Sequence, residues 1–245
     1  MENIGYIKSL YGCLALAMML NMTACKKKTD EVNPEIVNPK STPPSIVRGT
    51  VSDSSGKTLA TLTIGNQLWM EEDLKVSIFN DGSPIPLVSN DSAWSKLSSP
   101  GRCYYNNDAT MASGKYGMLY NWSTVNSGKL CPIGWHVPSD NEWQTLTNYL
   151  GSEAVAGGKM KEQGTANWKS PNTGGTNETN FGALPGGLRY PEGMFVNYGK
   201  NVYWWSSTAE DATRAWARGV SYDFGYAYRF SGPMKDGFCV RCIKN

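Results

Sequence analysis

Apolar and polar positions alternate most clearly where threonines separate Ala60, Leu62 and Ile64, the period-two pattern of a half-buried strand over Thr58 to Ile64. Gly65-Asn66 then predicts a tight hairpin into Gln67-Leu68-Trp69-Met70. Upstream, Arg48 to Val51 reads as a strand, joined through the turn residues Asp53-Ser54-Ser55-Gly56. Asn80-Asp81-Gly82-Ser83-Pro84 marks another turn. The period changes after Leu130-Cys131-Pro132-Ile133-Gly134-Trp135-His136-Val137-Pro138. Pro138 keeps Val137 extended, Ser139 is placed to cap a helix, and Glu142 three residues on completes a capping box. Trp143, Leu146, Thr147 and Leu150 recur at helical spacing, and Gly151 supplies the stop.

Beyond this helix the pattern weakens and then returns to strands. Glu153 to Glu162 predicts a second helix interrupted by Gly157-Gly158, and Ser170 to Asn180 predicts an exposed loop poor in apolar residues. A Gly-rich turn over Phe181 to Arg189 leads back to the core. Strands are expected at Tyr203 to Ser207, Ala215 to Ser221, Tyr226 to Phe230 and Gly237 to Ile243. On the last, Phe238, Val240 and Cys242 share one face while Cys239 and Arg241 share the other. Sulfurs that face apart cannot form a thioredoxin-type pair, which needs both at a helix start.

The first residues belong to a different pattern. Lys8 precedes an apolar run, Leu10 to Leu20, that is too short for a bilayer span and right for a signal peptide. Met22-Thr23-Ala24-Cys25 resembles a bacterial lipobox, which makes residues 1–24 the signal and Cys25 the lipidated residue. The mixed charges and prolines of residues 25–45 predict an extended tether, leaving residues 46–245 as one domain. Lys26 does not resemble the Asp retention signal of the inner membrane, so the expected location is the outer membrane, facing the surface or the periplasm. Export implies an oxidising compartment, and Cys103, Cys131, Cys239 and Cys242 then form an even set with three pairings. Cys131 with Cys242 joins the final strand to the segment ahead of the main helix, and Cys103 with Cys239 follows by elimination. A net charge of +2 over 245 residues offers no bulk attraction for nucleic acid. Nine Trp, thirteen Tyr and twenty-six Gly fit a loop-rich, strand-containing fold.

Several motifs occur in order: Gln67-Leu68-Trp69-Met70-Glu71-Glu72-Asp73-Leu74-Lys75, Tyr120-Asn121-Trp122, Cys131-Pro132-x-Gly134-Trp135-His136-Val137-Pro138, Phe181-x-Ala183-Leu184-Pro185-Gly186-Gly187-x-Arg189, Trp204-Trp205-Ser206-Ser207-Thr208 and Val240-Arg241-Cys242. Together they resemble the Fibrobacter succinogenes major paralogous domain of secreted and lipid-anchored bacterial surface proteins. More distantly, Gly134 to Trp143, Trp204-Trp205-Ser206 and Gly237-Phe238-Cys239 are similar to elements of formylglycine-generating-enzyme domains. That resemblance implies an α+β, C-type-lectin-like fold, with two helices beside small twisted, mostly antiparallel sheets and long irregular loops. A fold does not by itself imply chemistry.

The residues that could carry chemistry are few. Cys239 and Cys242 face apart and do not make the copper-binding pair of the formylglycine-generating enzymes. His136 is the single histidine, expected to make a structural hydrogen bond, and no Gly-x-Ser-x-Gly turn accompanies it. No cofactor is implied. Calcium is the one ion left open, through oxygen ligands on Asn106, Asn107 and Asp108, although the Glu-Pro-Asn and Trp-Asn-Asp elements of calcium-dependent lectins are missing. Trp69, Trp122, Trp135, Trp143 and Trp205 are expected in the core. Tyr222, Asp223, Tyr226, Tyr228 and Arg229 crowd a late strand-loop-strand, and rings flanked by Asp and Arg suit a sugar face or a protein partner. The expected function is therefore a lipid-anchored surface protein binding glycan or protein. The alternatives are a structural coat component without a ligand and a metal-dependent enzyme.

Overall fold

The structure, a computed structural model, describes residues Val47 to Asn245; the expected signal segment, the expected lipidation site Cys25 and the expected tether lie outside the described residues. The threonine–aliphatic alternation forms the strand it predicts. In chain order, β1 (Arg48–Ser52), β2 (Thr58–Ile64) and β3 (Gln67–Met70) make an antiparallel meander. Gly65 turns β2 into β3 at a φ of 61°, a left-handed conformation that glycine adopts without penalty. Helix α1 (Asp91–Ser95), strand β4 (Arg102–Cys103), helix α2 (Ala109–Ser113), strand β5 (Leu119–Tyr120) and helix α3 (Trp122–Val125) follow. Next come β6 (Trp135–His136), α4 (Asp140–Tyr149) and α5 (Glu153–Met160). The chain ends with β7 (Gly186–Arg189), β8 (Phe195–Tyr198), β9 (Asn201–Ala209), β10 (Arg214–Ser221), β11 (Ala227–Pro233) and β12 (Ile243–Lys244).

Two five-stranded sheets result, in the orders β1-β2-β3-β12-β6 and β11-β10-β9-β7-β8, with β4 and β5 as a separate pair. The fold is α+β. In the second sheet β7 and β9 run parallel while the other neighbours are antiparallel. The short helices α1, α2 and α3 escape a periodicity search because each spans a single turn, yet each has a side-chain cap, from Asn90, Asp108 and Asn121 respectively. Helix α4 carries the full capping box: Ser139 accepts from Glu142 N, and Glu142 accepts from Ser139 N at 2.7 Å. Its Trp143, Leu146 and Thr147 are buried.

The segment after β11 runs between two apolar cores, and its alternation decides which residue enters which. Phe238, Val240 and Cys242 pack with Met70, Tyr120, Trp122 and Trp205. Cys239 and Ile243 pack with Trp69, Trp143, Phe181 and Trp204 beside α4 and α5. The expected strand over Gly237 to Ile243 is shorter than predicted. Only Ile243–Lys244 forms a ladder, and the residues before it make single bridges to Arg189, Tyr120 and Trp204. This segment touches β5, β7 and β9 in turn, so no single partner supports a continuous ladder.

Cys131 and Cys242 are disulfide-bonded, with Cα atoms 6.0 Å apart across a sequence separation of 111. The second expected bond is corrected: Cys103 and Cys239 are buried free thiols. Tyr120 on β5 pairs with Arg102 of β4 on one side and with Phe238 on the other. Cys103 and Cys239 therefore sit on segments flanking β5, two inter-strand spacings or roughly 9–10 Å apart, beyond the reach of about 7 Å that a disulfide spans. Burial pushes the Cys103 thiol up to about 12 and the Cys239 thiol well above its ordinary value.

Two further expectations change. Gly157-Gly158 does not interrupt α5; both glycines lie inside it and are buried. A side chain on Gly157 would strike the carbonyl of Tyr226, and one on Gly158 the carbonyl of Gly174, so the pair admits two loops against the helix. The loop over Ser170 to Asn180 is mostly exposed, yet Asn172 is buried, its amide donating to the carbonyls of Glu162 and Gly164 at 2.9 and 2.6 Å.

Candidate functional site

The strip Tyr222 to Arg229 is divided by strand alternation. Tyr228 turns to the face away from the helices, where its ring lies 6.4 Å from Tyr203 and 5.6 Å from Phe230. Its hydroxyl accepts from Asn201 Nδ2 at 3.3 Å, and burial drives its phenol upward from the ordinary tyrosine value. The ring lies over Gly219, where any side chain would collide with it. Tyr222 is half-buried against the helix-side core. Asp223 is exposed and accepts from the Ser221 hydroxyl. Tyr226 is 53 % exposed, its ring tilted against Phe224 with centroids 4.9 Å apart. Tyr228 is partly buried against the core, whereas Tyr226 is exposed.

Arg229 points the other way, toward α4. Its Nε donates to both carboxylate oxygens of Asp140, at 3.1 and 2.9 Å, and its guanidinium lies 3.2 Å above the Trp216 ring. A second arginine, Arg218, donates from Nη1 to Asp140 Oδ1 at 2.5 Å and is buried, and its Nε has no partner among the described residues. Desolvation lowers the Arg218 guanidinium from its ordinary value, and Asp140 and Glu153 act in the opposite sense. Asp140 is the first residue of α4 and its backbone N–H donates to Thr208 Oγ1 at 3.0 Å, so the helix start and the late sheet are tied at this carboxylate. Negative charge at a helix N-terminus is favourable in its own right.

Around this ion pair lies an open depression of about 640 Å³ between α4, the start of α5 and β11. Asn141, Gln144 and Asn148 line one wall; their i, i+3, i+7 spacing puts them on one helical face. Gln144 donates to Asn148 Oδ1 at 2.9 Å, which fixes the two amides relative to each other. Ser152, Glu153 and Ala154 form the opposite wall, and Ala154 O lies against Gly225 in the loop that leads to Tyr226. The arrangement offers donors and acceptors on every side with one cation and two carboxylates at the rim. It can recognise hydroxyls and amides.

The remaining sequence candidates are engaged locally. His136 places Nδ1 2.7 Å from Asn245 Oδ1 and Nε2 2.8 Å from Glu142 Oε1, linking the chain end to the α4 cap. Burial raises the Glu142 carboxyl, but hydrogen bonds from Ser139 N and Oγ and from His136 outweigh it and hold the group below its ordinary value. Asn106 and Asn107 adopt left-handed backbone conformations, at φ 52° and 56°, and Asn107 Nδ2 donates to Ser89 O at 3.0 Å. Asp108 accepts from Thr110 N and Oγ1, at 2.9 and 2.7 Å, as the cap of α2. Among the described residues no group of three or more His, Cys, Asp or Glu side chains is placed to hold a metal.

Sequence reasoning found Arg229 and missed Asp140, Arg218 and the amide wall. Asp140 follows the cap directly, and the capping box that fixes Ser139 and Glu142 also aims it. Its partners lie 78 and 89 residues away and leave no local signal. Among the described residues no helix is long and apolar enough to cross a membrane. No curated protein and no solved structure matches the chain. Residues 62–244, from within β2 through helices α1 to α5 to the stapled final segment, match the Fibrobacter succinogenes major domain, and the chain belongs to that family.

Proposed function

We propose that this protein is a lipid-anchored binding protein of the outer membrane whose C-type-lectin-like domain recognises a neutral glycan at the depression between α4, α5 and β11. The lining of that depression carries the reading. Seven of its eight residues bear hydrogen-bonding side chains, which suits a hydroxyl-rich ligand and not an apolar one. The amide wall from Asn141 to Asn148 rises through seven steps of helix, roughly 10 Å at 1.5 Å per residue, room for more than one sugar ring. Asp140 is neutralised by Arg229 and Arg218, and Glu153 adds the only further charge among the lining residues. Two guanidinium groups and two carboxylates leave the site without net charge, so a neutral ligand fits best. Tyr226 next to this rim supplies an exposed ring for stacking. The lectin-like reading is supported by the placement of two helices, α4 and α5, beside the late strands. The lipobox resemblance at Met22 to Cys25 supports the anchor.

A glycan array read with the mature protein, followed by calorimetry on the hits, tests the binding claim. Saturable binding to neutral oligosaccharides that falls at least about tenfold in Gln144→Ala and Arg229→Ala, a loss of about 1.4 kcal/mol, is the expected result. No saturable hit, or hits indifferent to both substitutions, overturns it and favours the coat role. Cys25→Ser tests the anchor separately: the protein should leave the membrane fraction and lose incorporation of labelled fatty acid.

A further inference from the structure

Lys161, the residue after α5, is fully buried. Its Nζ donates to three main-chain carbonyls, Thr173 O at 2.8 Å, Ser221 O at 2.7 Å and Phe224 O at 3.0 Å. An ammonium has three N–H groups, and all three are used. The negative ends of three peptide dipoles therefore converge on one point inside the protein. Left without a positive centre, three carbonyls facing one another, that of Ser221 buried and those of Thr173 and Phe224 part-buried, lose this donor and repel one another. Oxygen cages of this kind hold hard cations in other proteins; here a side chain of the same chain fills the cage.

Two of the carbonyls, those of Thr173 and Phe224, belong to loops outside the ladders, and the third, that of Ser221, is at the end of β10. Thr173 lies in the 170–176 loop, and Ser221 and Phe224 bracket the loop that carries Asp223 and leads to Tyr226. Other bonds connect the same pieces: Thr173 N to Tyr222 O at 2.8 Å, Gly158 N to Gly225 O at 2.9 Å and Thr176 N to Gly158 O at 3.0 Å. The glycine pair in α5 lets both loops close on the helix, and Lys161 sits where they meet.

We propose that Lys161 is a positioning residue, an internal cation that fixes the 221–225 loop beside the candidate site, so that this loop owes its shape to an ammonium in the chain and not to a bound metal ion. Loss of the positive charge releases the 170–176 and 221–225 loops together. The shape of the loops is independent of any ligand; only the consequence for binding rests on the glycan reading above. Burial pulls the Lys161 ammonium down to about 8, against the attraction of Asp223. Asp223 and the Tyr222 phenol are the titratable groups on the 221–225 side, and the 170–176 loop contributes none. On the lysine's own segment Lys159 is paired with Glu178 and Glu162 with Asn167, while the Trp168 ring lies 5.5 Å from Nζ.

Amide hydrogen exchange of the full chain without ligand tests the proposal. Lys161→Met keeps the length of the side chain and removes its charge. Its amides in 170–176 and 221–226 should exchange about tenfold faster or more than in the parent, with the α4 amides unchanged. Chelator or added calcium should leave the parent protein's loops unaltered. Unchanged protection in Lys161→Met, or release of the parent's loops by chelator, overturns the proposal. Should Lys161→Met not fold, the parent protein suffices: after correction for intrinsic rates, both loops should lose protection together between pH 7 and 10, and the Trp168 indole resonance should shift with the same midpoint. Protection that persists through that range overturns the inference. Because no glycan is present in these measurements, failure of the binding reading leaves their outcome untouched.

Discussion

Two carboxylate–guanidinium pairs in this domain have similar distances and opposite surroundings. Arg241 and Asp73 meet at 2.7 Å with side chains 2 % and 5 % exposed. Arg229 and Asp140 meet at 2.9 Å with side chains 35 % and 16 % exposed. The first is embedded in aromatic rings: Trp204 Nε1 donates to Asp73 Oδ1 at 2.8 Å, and Arg241 lies 3.9 Å from the Phe181 centroid and donates to the Phe181 carbonyl. Asp73 Oδ1 accepts from both Trp204 and Arg241 in a buried setting, so the pair locks the fold and is closed to a ligand. The second faces a depression and keeps unused hydrogen-bonding capacity. Geometry alone does not separate a structural ion pair from a functional one. Exposure does.

The largest effect follows from the covalent frame around the buried pair. Cys242 adjoins Arg241, and its bond to Cys131 closes a loop of 111 residues. Cys131→Ser with Cys242→Ser should cost about 4–5 kcal/mol by the chain-entropy estimate, read as a lower denaturation midpoint by circular dichroism. Arg241→Met should cost about 3–5 kcal/mol, because it strands the Asp73 charge in a dry core. Replacing both Arg241 and Asp73 by apolar residues should recover a large part of that loss, and failure to recover it would assign the cost to packing against Phe181.

A third carboxylate sharpens the contrast by lacking a guanidinium partner. Asp236 is 4 % exposed, and its Oδ1 has no hydrogen-bond partner among the described residues. Desolvation raises its carboxyl to about 7, against the pull of Arg214 and with Glu192 adding to the rise. The folded state then binds a proton between about pH 4 and 7 that the unfolded chain has released, so stability falls as pH rises through that window. Asp236→Asn should flatten this slope and stabilise the protein at pH 8, on the order of 2–4 kcal/mol, with little change at pH 4. Urea unfolding at the two pH values measures it, and an equal change at both would place the effect in packing.

What the sequence revealed divides along the same line between local and distant causes. The capping box at Ser139 and Glu142, the hairpin at Gly65 and the two faces of Phe238 to Cys242 were all legible, because each is written in residues one to four positions apart. Lys161 reads in sequence as an ordinary charge in the run Gly158-Lys159-Met160-Lys161-Glu162, and only the arrival of loops 12, 60 and 63 residues away gives it a role. The pairing of Cys103 with Cys239 failed for a related reason. Elimination counts sulfurs, and the interposed β5 that keeps them apart cannot be counted. Arg229 was found among five candidates because aromatic crowding marks the strand; its partner Asp140 was hidden in a helix start that looked complete without it.

The smallest expected change in stability belongs to Arg229, and it decides whether the rim pair differs in kind from the buried one. Arg218 remains on Asp140 when Arg229 is removed, so no charge is left unpaired, and an ion pair this exposed contributes at most about 1 kcal/mol. Arg229→Ala should therefore unfold within about 1 kcal/mol of the parent while losing affinity for a neutral glycan. Arg218→Ala should do the reverse of a clean separation: it removes the buried partner, destabilises the late sheet and loses binding with it. If Arg229→Ala instead destabilised the domain as much as Arg241→Met, the rim pair would be a second structural lock, and the depression beside it would have no claim to be a site.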